Sequence, residues 1–250
     1  MHPIRKRDVV IALLVVMLVW ELVSLLINRP ILPPPFSVLM VFVRDLYSGD
    51  LLEHFIISLW RVLAGTILAV ITAAPCGLIL GQSKKINQLL TPIIYLLYPI
   101  PKVVFVPIIL LLFGIGDLAK IFIIFLILFF QILVLVRDQA ASLRQELIQS
   151  VKSLGAGRRA LFRYVYLPAS LPAILTALRQ SIGTAVAVLY IAELFATTKG
   201  LGYYIYFEGS TLLNYPAMYA GVLAMSLLGL GLYFSIDSLE KLLCPWLTAG

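Results

Sequence analysis

Charge is scarce in this chain. Only 12% of its 250 residues are Asp, Glu, Lys or Arg, 62% are hydrophobic, and the mean hydropathy is +1.04. A soluble domain carries about twice that charged share, and a water-soluble fold of this length has no interior large enough for so much apolar surface. Lipid must cover it. Histidine and cysteine are nearly absent as well. His2 and His54 are too few for a metal site. Cys76 and Cys244 lie far apart in apolar surroundings and read as buried small hydrophobes rather than a disulfide. Catalytic motifs are missing too. There is no G-x-x-x-x-G-K-[ST], since Gly81-Gln82-Ser83-Lys84-Lys85 has the wrong order, and no H-E-x-x-H, C-x-x-C or G-x-S-x-G. No acidic pair, Ser–His pair or metal cluster falls within the apolar runs, which argues against a lipid-phase enzyme. Energy for any work would enter through a partner.

What is present is a series of apolar runs, each near the roughly 20 residues a helix needs to cross a bilayer. Six are predicted: Val9 to Ile27, Phe55 to Gly81, Ile86 to Phe113, Leu118 to Val136, Leu171 to Leu194 and Ala217 to Ile236. The first follows Arg5-Lys6-Arg7 but lacks a small-x-small cleavage site, so it reads as a retained helix rather than a signal peptide. The third is interrupted by Pro92, Pro99, Pro101 and Pro107. An inside N-terminus places residues 1–8, 82–87, 137–169 and 237–250 in the cytoplasm with twelve of the nineteen Lys and Arg, against five at outer positions (Arg29, Arg44, Arg61, Lys120 and Lys199). This asymmetry explains the net charge of +7 without nucleic acid. The chain thus reads as an all-α polytopic protein of the plasma or inner membrane with both termini cytoplasmic. Three regions follow: 1–54, a first helix and an outer interfacial segment; 55–236, a core of spans two to six; and 237–250, a cytoplasmic tail.

Within the outer segment, Pro33-Pro34-Pro35 stops an incoming helix and Ser37 is placed to cap a new one. Leu39, Phe42, Val43 and Leu46 then form one apolar face, as in an amphipathic interfacial helix, although a packed loop fits equally. In span two, Gly65, Ala69, Ala73, Gly77 and Gly81 recur every fourth residue, a stripe of small side chains that lets another helix approach closely. Static packing within one subunit and a sliding or dimerising surface both suit it. Ionisable groups inside spans are functional candidates. Arg179 and Glu193 lie on span five, roughly 21 Å apart along the helix, too far to pair with each other. With Ser181 and Thr184 they form a candidate polar pathway; the alternative is that Arg179 snorkels and Glu193 caps a turn.

The loop between spans four and five is the most informative stretch. Ala140, Leu143, Leu147, Val151 and Leu154 follow helical spacing, Gly155-Ala156-Gly157 breaks the helix, and the basic stretch Arg158 to Arg163 runs to Leu167-Pro168, which is expected to end it. This predicts a compact cytoplasmic knob, basic at its rim and apolar at its tip, fit to act as a rigid lever for another protein.

At these residues the sequence resembles the permease subunits of bacterial ATP-binding-cassette (ABC) importers, whose cytoplasmic loop reads E-A-A-x-x-x-G, nine residues, then I-x-L-P. Here Gly155 is followed by nine residues and Val165-Tyr166-Leu167-Pro168, while Gln149-Ser150-Val151 stand at the E-A-A positions. Leu32-Pro33-Pro34-Pro35, Ser58-Leu59-Trp60-Arg61-Val62 with Gly65, Phe113-Gly114-Ile115-Gly116, Arg179, Glu193 and Gly200-Leu201-Gly202 resemble the nitrate, sulfonate and taurine branch. The resemblance implies a type I importer permease fold with about six transmembrane helices. It also implies a partner set: a second copy of the chain, two cytoplasmic ABC ATPase subunits and an external solute-binding protein, with no cofactor on this chain and ATP and Mg on the ATPase. The knob would be the coupling helix, with Gln149, Ser150, Val151, Lys152, Leu154, Gly155, Ala156, Arg158, Arg159, Phe162, Leu167 and Pro168 as ATPase-facing candidates. The expected function is inward movement of a small solute (sulfonate, nitrate, taurine or vitamin precursor) by alternating access. A self-contained secondary transporter or channel predicts an inverted repeat, and none is visible; a membrane scaffold leaves the polar residues of span five unexplained.

Overall fold

The computed structural model describes residues 6–195 and 197–247, so His2, Arg5 and the end of the tail lie outside the described residues. Among these residues there is helix and no strand. The elements are α1 (Lys6–Ile27), α2 (Pro35–Ser48), α3 (Asp50–Gln82), α4 (Lys84–Leu97), α5 (Val106–Phe113), α6 (Asp117–Ala141), α7 (Gln145–Ser153), α8 (Arg158–Leu161), α9 (Leu167–Leu194), α10 (Leu201–Tyr206) and α11 (Tyr215–Leu243). Five helical segments are long and apolar enough to cross a membrane, and a sixth span results if α4 and the segment Lys102–Phe113, bent by 74°, count as one. The six expected runs are these.

The bend in the third span falls where Pro99 and Pro101 lie. Proline removes a backbone donor and disfavours helix in the residue before it. The orphan carbonyls left at the end of α4 are taken by Lys102, whose Nζ donates to Leu97 O at 2.9 Å and to Tyr98 O. A cation inside an apolar run is thereby satisfied by a helix C-terminus.

The chain divides into two units. The first comprises residues 1–57 and 198–226. Here α2 is a helix, not a loop, and its predicted apolar face is outward: Leu39, Val43 and Leu46 are exposed while Pro35, Val38 and Asp45 are buried. Ser37 does not cap it. The helix starts at Pro35, whose preset φ and missing N–H suit a first turn, and Ser37 Oγ instead donates back to Pro34 O at 2.8 Å. Asp45 accepts from Arg44 Nε (2.7 Å) and from the Tyr204 hydroxyl (2.6 Å), which ties α2 to α10. Likewise His54 Nδ1 accepts from Gly200 N at 2.9 Å, and Lys199 pairs with Glu53.

The second unit comprises residues 58–197 and 227–250, and its centre is the pairing of α6 with α9. Ile124, Leu128, Ile132 and Val136 recur every fourth residue on α6 and are fully buried; Ala185, Leu189 and Ala192, spaced by four and three, are buried on α9. The small-residue stripe of α3 lies on α6. A Cβ on Gly65 would meet Ile124 at 2.8 Å, one on Gly77 the Leu133 carbonyl at 2.9 Å, and one on Gly81 the Ala140 Cβ at 2.5 Å. Ala69 and Ala73, between them, are fully buried. Contact positions rise together along both helices, so α3 and α6 run parallel, as spans two and four of an alternating topology must. Cys76 departs from expectation: it sits on the uncovered face of α3, whereas Cys244 is buried.

Candidate functional site: the knob between two spans and two ion-pair clusters

The loop between α6 and α9 is a folded knob with its own small core. Ile148 of α7, Leu161 of α8 and Val165 pack together, with Val151, Ala156 and Tyr166 against them. The expected single helix from Ala140 to Leu154 is in fact two. Ser142 N donates to the carbonyls of Asp138 and Gln139, its Oγ donates to Gln139 O at 2.9 Å, and Arg144 turns extended before α7 begins. Local side-chain bonding of this kind competes with helix. Ala140 therefore belongs to α6 and packs against Gly81.

After α7 the chain reverses at Gly155, whose φ of +81° is a left-handed conformation that glycine adopts without a Cβ penalty. Gly155 N donates to Lys152 O at 2.9 Å and Ala156 N to Val151 O at 3.4 Å. The turn leaves Leu154 at the tip with 86% of its surface exposed. Gln149, Ser150, Lys152 and Arg159 are exposed around it, Phe162 is at the edge of exposure, and the Arg158 side chain lies outside the described residues.

Leu167-Pro168 does not end the second stretch. The helix runs unbroken from Arg159 to Leu194, and the missing proline donor is absorbed by a π-helical turn over Phe162–Tyr166, in which Leu167 N reaches Phe162 O. A widened turn of this type tolerates the ring that an α-turn would not. One continuous rod thus joins the knob to span five.

The four candidate pathway residues of that rod are not brought together. Ser181 is buried and its Oγ donates to Ala177 O, and Thr184 is half-buried. Arg179 meets α11: its Nη1 lies 2.8 Å from Asp237 Oδ1 and 2.9 Å from Glu240 Oε2. This clamp exists because α11 continues past Ile236 to Leu243. Glu193 is fully buried at the other end of α9, where Arg61 Nη1 donates to it at 2.7 Å and Ser58 Oγ at 2.9 Å. Arg61 also donates to Asp117 Oδ1 through Nη2 (2.6 Å) and Nε (2.9 Å). Beside them Lys120, 1% exposed, donates from Nζ to Ile115 O at 2.9 Å and holds the turn before α6.

The positions counted from sequence as outer charges at Arg61 and Lys120 are therefore interior. Sequence reasoning missed this cluster because it tested Glu193 only against Arg179 on the same helix. The available signal was an arginine and a glutamate, each isolated in a different apolar run. Among the described residues no group of three or more His, Cys, Asp and Glu is arranged to hold a metal.

Comparison with known proteins places this architecture. The family described as the binding-protein-dependent transport system inner membrane component matches residues 65–248, which include the knob, the rod and the α11 clamp. The chain belongs to this family. It is a permease subunit of an ABC importer, not an enzyme, and the ATPase of such a system is a separate subunit. Among relatives, the taurine transport system permease protein of Escherichia coli is 32% identical over 91% of this chain and 84% of its own length. A putative ABC transporter permease protein of Methanocaldococcus jannaschii is 36% identical over 91% of this chain and 87% of its own length. The fold matches a chain of the methionine ABC transporter in an inward-facing form, with a TM-score of 0.66 at 18% identity, over 77% of this chain and 95% of that one. A permease of this class is an inner-membrane component and works with an ATPase and a binding protein. In this permease the knob lies between the spans α6 and α9.

Proposed function

We propose that this permease works as a homodimer over two cytoplasmic ATPase subunits, with ATP and Mg held by those partners and an external binding protein delivering solute. The knob around Gly155 is the coupling element, α7 seating in the ATPase and the rod of α8 and α9 carrying its motion into the membrane by alternating access. The observation that supports this best is the knob's construction: a self-contained core, a glycine-enforced reversal, an exposed leucine at the tip and no helical break between knob and span five. In this reading both termini are cytoplasmic. The solute belongs to the class of small sulfonates, nitrate, taurine or vitamin precursors, and likeness to the taurine permease supports the sulfonate end of that range. Arg179, Ser181, Thr184 and Glu193 are retained as candidate pathway residues, Thr184 being half-buried.

The test is a substitution of Gly155. Leucine there must adopt a left-handed conformation at a cost of about 1–2 kcal/mol, which reshapes the tip without touching a membrane-facing residue. Gly155→Leu is expected to insert at wild-type levels, lose co-purifying ATPase and lose uptake. Normal uptake by this variant would refute the coupling role.

A further inference from the structure

Above the middle of α1 the first unit contains two adjoining cavities, one of which carries charged side chains. The lower, about 340 Å³, is an apolar crevice between α1 and α11, lined by Trp20, Leu32, Tyr219 and Val222. The upper, about 700 Å³, shares Leu32 with it and adds polar groups to a largely apolar wall: Glu21, Ser24, Asn28, Arg29 and Asn214. Glu21 is an acid inside an apolar span, six residues and about 9 Å of helix from the end of α1, and it makes no ion pair among the described residues. Arg29, past the helix end, makes none either. An unpaired ionisable group in a span is a functional candidate by default.

The walls are pinned rather than loose. Trp20 Nε1 donates to Pro33 O at 3.1 Å and Ser24 Oγ to Leu32 O at 2.8 Å, which folds the 28–34 turn back over α1. Two rim residues hold left-handed conformations without being glycine, Asn28 (φ 43°) and Leu213 (φ 55°). Strain of that kind persists only where surrounding structure enforces it, and it clusters at functional sites. On the same turns α1 leaves Leu22, Leu25 and Leu26 exposed, so the cavities open beside a surface made for lipid.

We propose that this paired cavity binds a zwitterionic phospholipid with a primary ammonium, phosphatidylethanolamine being the chemistry that fits. Its phosphate pairs with Arg29, its ammonium with Glu21, and the start of an acyl chain occupies the crevice beside Trp20 and Tyr219. A carboxylate and a guanidinium in one cavity match a headgroup that carries both signs. An apolar slot beside that cavity, with Leu32 lining both, distinguishes a lipid from a free zwitterion. Selectivity follows from donors: the ammonium offers three N–H groups to Glu21, choline offers none, and a glycerol headgroup has no cation.

The test uses the whole transporter in nanodiscs of equal phosphatidylethanolamine, phosphatidylcholine and phosphatidylglycerol, with retained lipid read by native mass spectrometry after mild extraction. Phosphatidylethanolamine should be retained over both others. Glu21→Gln should lower its ratio to phosphatidylglycerol roughly three- to fivefold, the scale of one partly exposed ion pair. Arg29→Ala should reduce retention of all three. Val222→Trp, which fills the crevice and leaves both charges in place, should also reduce all three, and it guards against misfolding of the Glu21 variant. Equal retention of the three lipids by the unaltered protein would overturn the proposal, as would unchanged ratios in these variants. So would cross-linking of an Arg29→Cys variant to the binding protein or a second copy in place of lipid.

Discussion

Replacing Arg61 with leucine strands Glu193, whose carboxylate is fully buried and whose bond to Arg61 is 2.7 Å. Breaking a buried pair by removing one partner costs about 3–5 kcal/mol, and the retained Ser58 hydroxyl offsets about 1 kcal/mol of that. Arg61→Leu should therefore destabilise by about 2–4 kcal/mol. Glu193→Leu leaves Arg61 its bonds to Asp117, which is half exposed, so about 2–3 kcal/mol is expected there. The double variant removes both buried charges, and Asp117 can turn to water. It should lie within about 1 kcal/mol of the parent, because two apolar side chains replace a pair whose desolvation was costly. The cycle thus predicts a coupling of about 3–7 kcal/mol between positions 132 residues apart in sequence. Unfolding by SDS in mixed micelles, followed by circular dichroism, measures all four proteins on one scale. Additivity within about 0.5 kcal/mol would refute the view that Arg61 and Glu193 act as one electrostatic unit joining α3 to α9.

Three further outcomes are expected. Gly81→Ala should destabilise by about 1–3 kcal/mol in the same micelle assay through overpacking, because its Cβ would lie 2.5 Å from Ala140 Cβ and 2.6 Å from the Arg137 carbonyl. Gly183→Ala, with nothing within 4 Å of the new atom, should be neutral or slightly stabilising; equal losses at both sites would show that close packing is not the cause. Burial, then the hydrogen bond to and charge of Asp45, push the Tyr204 phenol well above its ordinary value. With the folded value raised, the stabilisation is complete below the unfolded value of about pH 10 and is lost as pH rises beyond it. Tyr204→Phe should lower stability at neutral pH and flatten the alkaline decline, and an unchanged decline between about pH 9 and 11 would assign it to other groups.

The class of the protein was legible in the sequence because it rests on properties that do not depend on long-range contacts. Six apolar runs of spanning length, the Lys and Arg bias and the Gly155-to-Pro168 spacing are local. Any fold of this chain has to put those runs in lipid and satisfy their backbone within helices. The small stripe on α3 was visible for the same reason: period four on a helix is one face.

Pairing between helices was not legible. Nothing in the spacing of Arg61, Asp117 and Glu193 says that three separate spans meet at one end, or that Arg179 reaches Asp237 and Glu240 on α11. Local competition was equally hidden. The serine at 142 stops a helix that the apolar period would continue, and a π-turn carries one past a proline that should have ended it. Sequence determined the solvent each segment needs and the knob's hinge glycine. Tertiary structure decided which charges neutralise each other, because in a low-dielectric interior an ion's partner is set by proximity in space, and a one-dimensional pattern carries no distance between helices.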